Sequence, residues 1–161
     1  MKIYKCIFTI WLIFTLLFTV ICKLSFGVIF FDIESIGMFT NIIPFDFIFK
    51  LIRNYKCVSD SGINFQIAEI FHFIKDFILN ICLFIPCGVC LRGMKQKRFK
   101  VTAVSAFIAF GIEILQLAFR LFNIGSAIID VNDIISAAIG SIIGVIICDI
   151  IHVLSKKLKE V

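Results

Sequence analysis

The sequence predicts an all-α, polytopic membrane protein, with four transmembrane helices in a bundle and a short interfacial or re-entrant helix in the first outer loop. Of its 161 residues, 61% are hydrophobic and only 17% are charged, and the mean hydropathy is +1.09. Soluble domains average about 45–50% apolar and about 25% charged residues. Four apolar runs are also long enough to cross a bilayer. The lipid bilayer is therefore the expected surroundings of the chain.

The length predicts a single domain, and the net charge gives no indication of a nucleic-acid partner. Four spans with short connections use up the 161 residues, so we expect a single membrane domain over residues 1–161. Its spans are predicted at about 6–30, 70–91, 101–121 and 133–153. The net charge of +5 is too small and too scattered to indicate a nucleic-acid partner. It is better interpreted as a signal of membrane topology.

The first span begins with an uncharged run from Cys6 to Cys22, preceded by Lys2 and Lys5. At about 1.5 Å per residue this run can just cross a bilayer core. It is longer than the roughly 7–15 residues of a signal-peptide core, and no small-residue cleavage site follows Lys23. We therefore expect it to be retained as a transmembrane helix.

The other spans are interrupted by few polar or helix-breaking residues. Pro86 lies near the end of the second span, where it should free a carbonyl and bend the helix. The third span contains one acidic residue, Glu113, and the fourth carries Asp149 close to its end. In the first outer loop, the stretch from Asn41 to Arg53 is apolar over about eleven residues, with Pro44 near its start. That stretch is the predicted interfacial or re-entrant helix.

The distribution of charge predicts the orientation. The loop between the second and third spans holds the strongest positive cluster, formed by Arg92, Lys95, Lys97, Arg98 and Lys100. Basic loops stay on the cytoplasmic side, so we expect this loop and both termini to be cytoplasmic in a multi-pass protein of the cell membrane. Residues 31–69 carry three basic and five acidic side chains, which suits the outside.

Polar side chains in the third and fourth spans should gather near the outer leaflet. Glu113, Gln116 and Arg120 follow each other at i, i+3 and i+7, so they share one stripe of a helix. A charge near the bilayer centre costs about 2.5 kcal/mol or more, so this stripe should face the bundle. Glu113 and Arg120 lie about 10 Å apart along the axis, too far to pair directly. Asp130 and Asp133, after a short turn, are the expected partners of Arg120.

Small residues continue the acidic face of the fourth span. Helical spacing from Asp130 and Asp133 leads to Ala137, Gly140 and Gly144. Such a face lets another helix approach closely. We therefore expect tight helix packing directly below the acidic end.

A third polar stripe lies on the second span, where His72, Asp76 and Asn80 repeat every four residues. Interhelical hydrogen bonding that fixes the bundle would explain all these groups. The alternative is that they line an outward-facing site. We favour the site, because buried ionisable groups converge from two or three helices.

The cysteines do not indicate a disulfide framework or a metal site. There are seven, an odd number, and most lie in apolar runs as small lipid-compatible side chains. Cys87 and Cys90 form a C-x-x-C, and Cys148 with His152 forms a second generic pair. We expect neither a metal nor any other cofactor.

Four motifs in order along residues 41–148 resemble the VanZ-like family of small bacterial membrane proteins. They are Asn41-Ile-Ile-Pro44-Phe45, then Asn80-Ile-Cys-Leu-Phe84-Ile-Pro86-Cys-Gly88, then Glu113-Ile-Leu-Gln116 with Arg120, and Asp130-Val-Asn-Asp133 with Gly140 and Gly144. The family often has an Asn where Ala137 stands, so an activity that needs this Asn would be absent here. The resemblance implies an integral membrane protein linked to reduced susceptibility to the glycopeptide antibiotic teicoplanin.

The leading hypothesis is a non-enzymatic envelope protein whose polar pocket engages a lipid-linked cell-wall precursor or a lipoglycopeptide. In this hypothesis Arg120 holds an anionic group, Glu113 and Gln116 orient it, and Asp130 and Asp133 position Arg120. Asn80 completes the pocket.

Two alternatives remain open. One is a membrane enzyme acting on a lipid-linked precursor, with Glu113 or an Asp as general base, although no nucleophile–base arrangement is visible. The other is a structural or assembly protein, or a small transporter. A transporter of four short spans would require an oligomer.

Overall fold

A computed structural model describes residues 1–23, 40–41, 43–45, 60–121 and 129–158 of the chain. Within these ranges the side chains of residues 20–23, 40–41, 60–69, 120–121 and 129 are not described. The described part contains helices α1 Lys2–Lys23, α2 Asp60–Gly93, α3 Arg98–Leu121 and α4 Val131–Lys157. It also contains two-residue strands, β1 Thr40–Asn41 and β2 Ile129–Asp130.

All four helices in the described residues are long and apolar enough to cross a membrane. The all-α, four-span prediction is therefore confirmed. Helix α2 starts at Asp60, ten residues before the predicted start of the second span. The end of the predicted first span, at residue 30, lies outside the described residues. Most of the predicted short helix also lies outside them.

Residues 43–45 form a bend and turn. Phe45 has φ 58°, a left-handed conformation that a right-handed helix does not contain. Residues 43–45 are therefore not part of the predicted short helix, and residues 46–59 are not described.

The helices alternate in direction, which brings the basic loop, the start of α1 and the end of α4 together. Tyr4 of α1 lies against Gly93 at the end of α2, so α1 and α2 are antiparallel. Asp149 of α4 contacts Arg92 at that same end. The start of α1, the loop over residues 94–97 and the end of α4 therefore share one end of the bundle, which we call the basic end. Its cytoplasmic location stays a prediction.

The core lies where α2, α3 and α4 meet, with α1 packed on the side of α2. Trp11 of α1 stacks edge-on against Phe84 and donates its indole N–H to the Leu83 carbonyl at 2.7 Å. That carbonyl lies in the turn before Pro86, where the proline ring disturbs the helical hydrogen bonds. The outer faces of the helices expose Ile, Leu and Phe, as expected for contact with lipid tails.

Glycines allow α2 and α4 to touch backbone to backbone. A Cβ at Gly140 would meet the Ile81 carbonyl oxygen, one at Gly144 would meet that of Ile85, and one at Gly88 would meet that of Ser141. These contacts form the glycine seam, and they confirm the tight packing predicted from the small-residue face. Because the seam runs along both helices, it fixes how α2 and α4 are placed beside each other.

Candidate functional site

The start of α4 is built by Asp130, which caps the helix. Its backbone is extended (φ −127°, ψ 117°), and its carboxylate accepts a hydrogen bond from the Asn132 backbone N–H at 2.8 Å. The same carboxylate oxygen accepts a second bond from the Asn132 side-chain amide at 2.7 Å. Aspartate is among the best residues for this position, because its oxygen satisfies an N–H that the helix leaves open. The cap also orients the Asn132 side chain.

Glu113 of α3 reaches the same cap. Its Oε2 accepts a hydrogen bond from the Asp130 backbone N–H at 3.1 Å, and the residue is only 3% exposed. The carboxylates of Glu113 and Asp130 therefore both accept backbone hydrogen bonds at the start of α4. Gln116, one turn further along α3, is equally buried. The prediction that this stripe faces the bundle is confirmed for Glu113 and Gln116.

Arg120 belongs to the last turn of α3, and its side chain lies outside the described part of the chain. Its predicted partnership with Asp130 and Asp133 stays a prediction. Both aspartates have polar partners among the described residues, Asp130 in the cap of α4 and Asp133 on α2.

The segment around Pro44 is attached to the cap by two contacts. Asn41 pairs with Asp130 in a parallel two-residue ladder, and Thr40 pairs with Ile129. Four residues later, the Phe45 N–H donates to Asn132 Oδ1 at 3.0 Å. Residues on either side of Pro44 are thus held against the start of α4.

Aromatic packing holds the strained turn in place. The Phe45 ring lies 6.4 Å from that of Phe73 and 6.0 Å from that of Phe77, both on α2. A left-handed backbone costs about 1–2 kcal/mol for an L-residue other than glycine. The ring contacts and the hydrogen bond to Asn132 offset that cost. The turn therefore links α2 to the start of α4.

Helix α2 contributes a direct polar contact. Asn80, half-buried, donates its side-chain N–H to Asp133 Oδ1 at 2.7 Å. His72 and Asp76, which the spacing placed on the same stripe, are exposed. Since Asn80 already meets the first turn of α4, the earlier turns of α2 extend past the start of that helix. The structure therefore brings Asn80 of this stripe to the start of α4, while His72 and Asp76 are exposed.

Sequence reasoning did not select Asn132 as a site residue. It is 1% exposed and connects the cap to the Phe45 turn. Its position inside Asp130-Val-Asn-Asp133 was the available signal. A buried amide at this position has both a donor and an acceptor, and both need hydrogen-bond partners.

The site residues offer carboxylate and amide groups, with which a ligand could form hydrogen bonds. In the described part of the chain, no group of three or more His, Cys, Asp and Glu side chains is placed to hold a metal ion. Cys87 instead contacts Ser105 Oγ of α3 at 3.2 Å. Polar groups from α2, α3, α4 and β1–β2 thus meet at the end of the bundle opposite the basic end, and we call this group the polar cluster. Its central members are Asn80, Glu113, Gln116, Asp130, Asn132 and Asp133.

Comparison with known proteins supplies the family. No curated protein and no solved structure matches the chain significantly. The family model described as VanZ/LLP1 matches residues 3–152, nearly the whole chain. That match and the four span-like helices together identify a multi-pass membrane protein that belongs to the VanZ/LLP1 family.

Proposed function

We propose that this protein is a VanZ-like component of the bacterial cell envelope that lowers susceptibility to glycopeptide antibiotics, teicoplanin above all. In this proposal the polar cluster faces outward and binds a lipid-linked cell-wall precursor or a lipoglycopeptide. The observation that carries it is the convergence of buried polar groups from three helices at one end of the bundle.

The placement of the cluster suits an amphiphilic ligand. The opposite end holds the basic loop, which the distribution of charge predicts to be cytoplasmic. The cluster would then lie at the depth of the outer leaflet, where a lipid-linked precursor or a lipoglycopeptide presents its polar part beside its lipid chain. Buried carboxylate and amide groups can recognise such a polar part by hydrogen bonding.

The residues have three roles in this proposal. Arg120 holds an anionic group of the ligand, and Glu113 with Gln116 orients it. Asp130 and Asp133 position Arg120. Asp130 also caps α4, so its substitution would disturb both the pocket and the helix start.

The test is antibiotic susceptibility in a glycopeptide-sensitive Gram-positive host. The wild type, Glu113→Gln and Arg120→Ala are expressed to equal membrane levels, and the inhibitory concentrations of teicoplanin and vancomycin are measured. We expect the wild type to raise the teicoplanin value at least fourfold, and both variants to lose most of that increase.

Asp76→Asn is the matched control, because it removes an acidic charge from an exposed position of α2. It should behave as the wild type. If expression of the wild type leaves the inhibitory concentrations of both antibiotics unchanged, the resistance role is refuted. Lipid extracts from the same cells separate the binding role from an enzyme, since a precursor that changes in amount with the wild type but not with Glu113→Gln would indicate catalysis.

A further inference from the structure

The basic end carries a groove unrelated to the polar cluster. It measures about 510 Å³ and lies between the start of α3 and the second half of α4. Ile142, Ile146 and Ile150 form much of its apolar wall, and each is about half exposed. Its polar end is formed by Arg98 and Asp149. A groove of this size is in the range of small-molecule sites.

The charges at the polar end form a compact network. One carboxylate oxygen of Asp149 lies 2.6 Å from Arg92 Nε, and the other lies 2.8 Å from Arg98 Nη2. Arg92 also donates to the Gln96 carbonyl at 3.0 Å. Two guanidinium groups against one carboxylate leave the network with a net charge of about +1. Asp149 therefore does not make this end of the groove acidic.

Arg98 is the group that can bind a ligand here. Its side chain is 74% exposed, whereas that of Arg92 is 28% exposed. A guanidinium has five N–H donors, so the contact of Nη2 with Asp149 leaves donors for another acceptor. Lys95, Lys97 and Lys100 are exposed in the same loop and first turn, which adds positive charge around it.

We propose that this groove binds an anionic glycerophospholipid. Its phosphate contacts Arg98, and one of its acyl chains lies along Ile142 and Ile146. The combination of a cationic end and an apolar wall matches the two parts of such a lipid. A zwitterionic lipid would fill the groove but gain little from the net charge. A second copy of the chain would bring its own basic end against this one, and the like charges would oppose it.

The test uses full-length protein purified in a neutral detergent, with phosphatidylglycerol or phosphatidylcholine added to the micelles. Lipid retained by the protein is counted by native mass spectrometry over a range of lipid concentrations. We expect phosphatidylglycerol to bind about tenfold more tightly than phosphatidylcholine, because a tenfold change in affinity corresponds to about one charge-assisted hydrogen bond.

Two variants examine the two parts of the site. Arg98→Gln removes the charge, and Ile146→Trp fills the apolar wall without touching the ion pairs. Both should weaken phosphatidylglycerol binding about tenfold. Their matched controls are Lys156→Gln, a basic residue of the same end, and Ile147→Trp, the adjacent residue, neither of which lines the groove. The controls should stay within twofold of the wild type.

Three results would overturn the proposal. One is equal binding of phosphatidylglycerol and phosphatidylcholine. Another is that the groove variants bind phosphatidylglycerol as tightly as their controls do. The third is complete displacement of the lipid by millimolar inorganic phosphate, which would show that the apolar wall contributes nothing to binding. The outcome is independent of the antibiotic test, because no residue of the polar cluster is changed.

Discussion

Substituting Gly144 with alanine should separate α2 from α4. An added Cβ would meet the Ile85 carbonyl oxygen, and it would lie 2.8 Å from the Val89 nitrogen and 2.9 Å from the Gly88 Cα. All three are backbone atoms, so none can rotate away as a side-chain end would. Ordinary contact begins at 3.4 Å, so the Val89 nitrogen has to move by about 0.6 Å and the Gly88 Cα by about 0.5 Å.

The cost follows from overpacking a close helix interface. Inserting one extra carbon into a well-packed core costs about 1–3 kcal/mol. Alanine recovers up to about 1 kcal/mol through its better helix propensity. Gly111→Ala provides a control for that gain, because a Cβ there meets nothing within 4 Å.

The measured quantity is the difference in unfolding free energy between the two variants, in which the helix-propensity terms largely cancel. We expect Gly144→Ala to be less stable than Gly111→Ala by about 1–3 kcal/mol. Unfolding of detergent-solubilised protein by sodium dodecyl sulfate can be followed by circular dichroism and by the fluorescence of Trp11, the single tryptophan. Equal stability of the two variants would refute the backbone contact between α2 and α4.

Three further predictions concern single contacts. Trp11→Phe removes the hydrogen bond to the Leu83 carbonyl, and the unfolding free energy measured by circular dichroism should fall by about 1–2 kcal/mol. An unchanged unfolding free energy would mean that water or another donor replaces the indole N–H. Asn132→Ala leaves the Phe45 N–H without its acceptor, so that amide should exchange hydrogen at least tenfold faster, while an unchanged rate would mean that the turn holds without this bond. Asp149→Asn removes the charge that both guanidinium groups contact, so amides of the loop at the basic end should exchange several-fold faster in low salt, and a rate equal to the wild type would show that the ion pairs do not order the loop.

The four spans could be predicted because the length of each apolar run is set by the thickness of the bilayer. The inward direction of Glu113 and Gln116 followed from the cost of placing polar groups against lipid. The early start of α2 could not be predicted in this way. Residues beyond the apolar core are not constrained by the bilayer, so hydropathy provides no signal for where the helix begins.

The gathering of Glu113, Asp130 and Asp133 was predicted, but the contacts that attach residues 40–45 to the start of α4 were beyond sequence reasoning. Asn41 and Asp130 pair over only two residues and are far apart along the chain, so no local pattern marks them. Helical spacing placed His72 and Asp76 with Asn80, but it does not show where a neighbouring helix ends. The cap at Asp130 sets where α4 begins, and with it which turns of α2 are covered by α4.

The contacts of Glu113 bear on the choice between a binding protein and an enzyme. Its Oε2 accepts the N–H of Asp130, so a proton-transfer role would compete with the contact that joins α3 to the start of α4. Glu113→Gln keeps an oxygen that can accept this bond but removes the negative charge. Glu113→Ala would remove both and leave the part-buried N–H of Asp130 without this acceptor, which costs about 1–3 kcal/mol. A stable Glu113→Gln protein that has lost the teicoplanin effect would therefore assign the effect to the charge, and Glu113→Ala alone could not make that distinction.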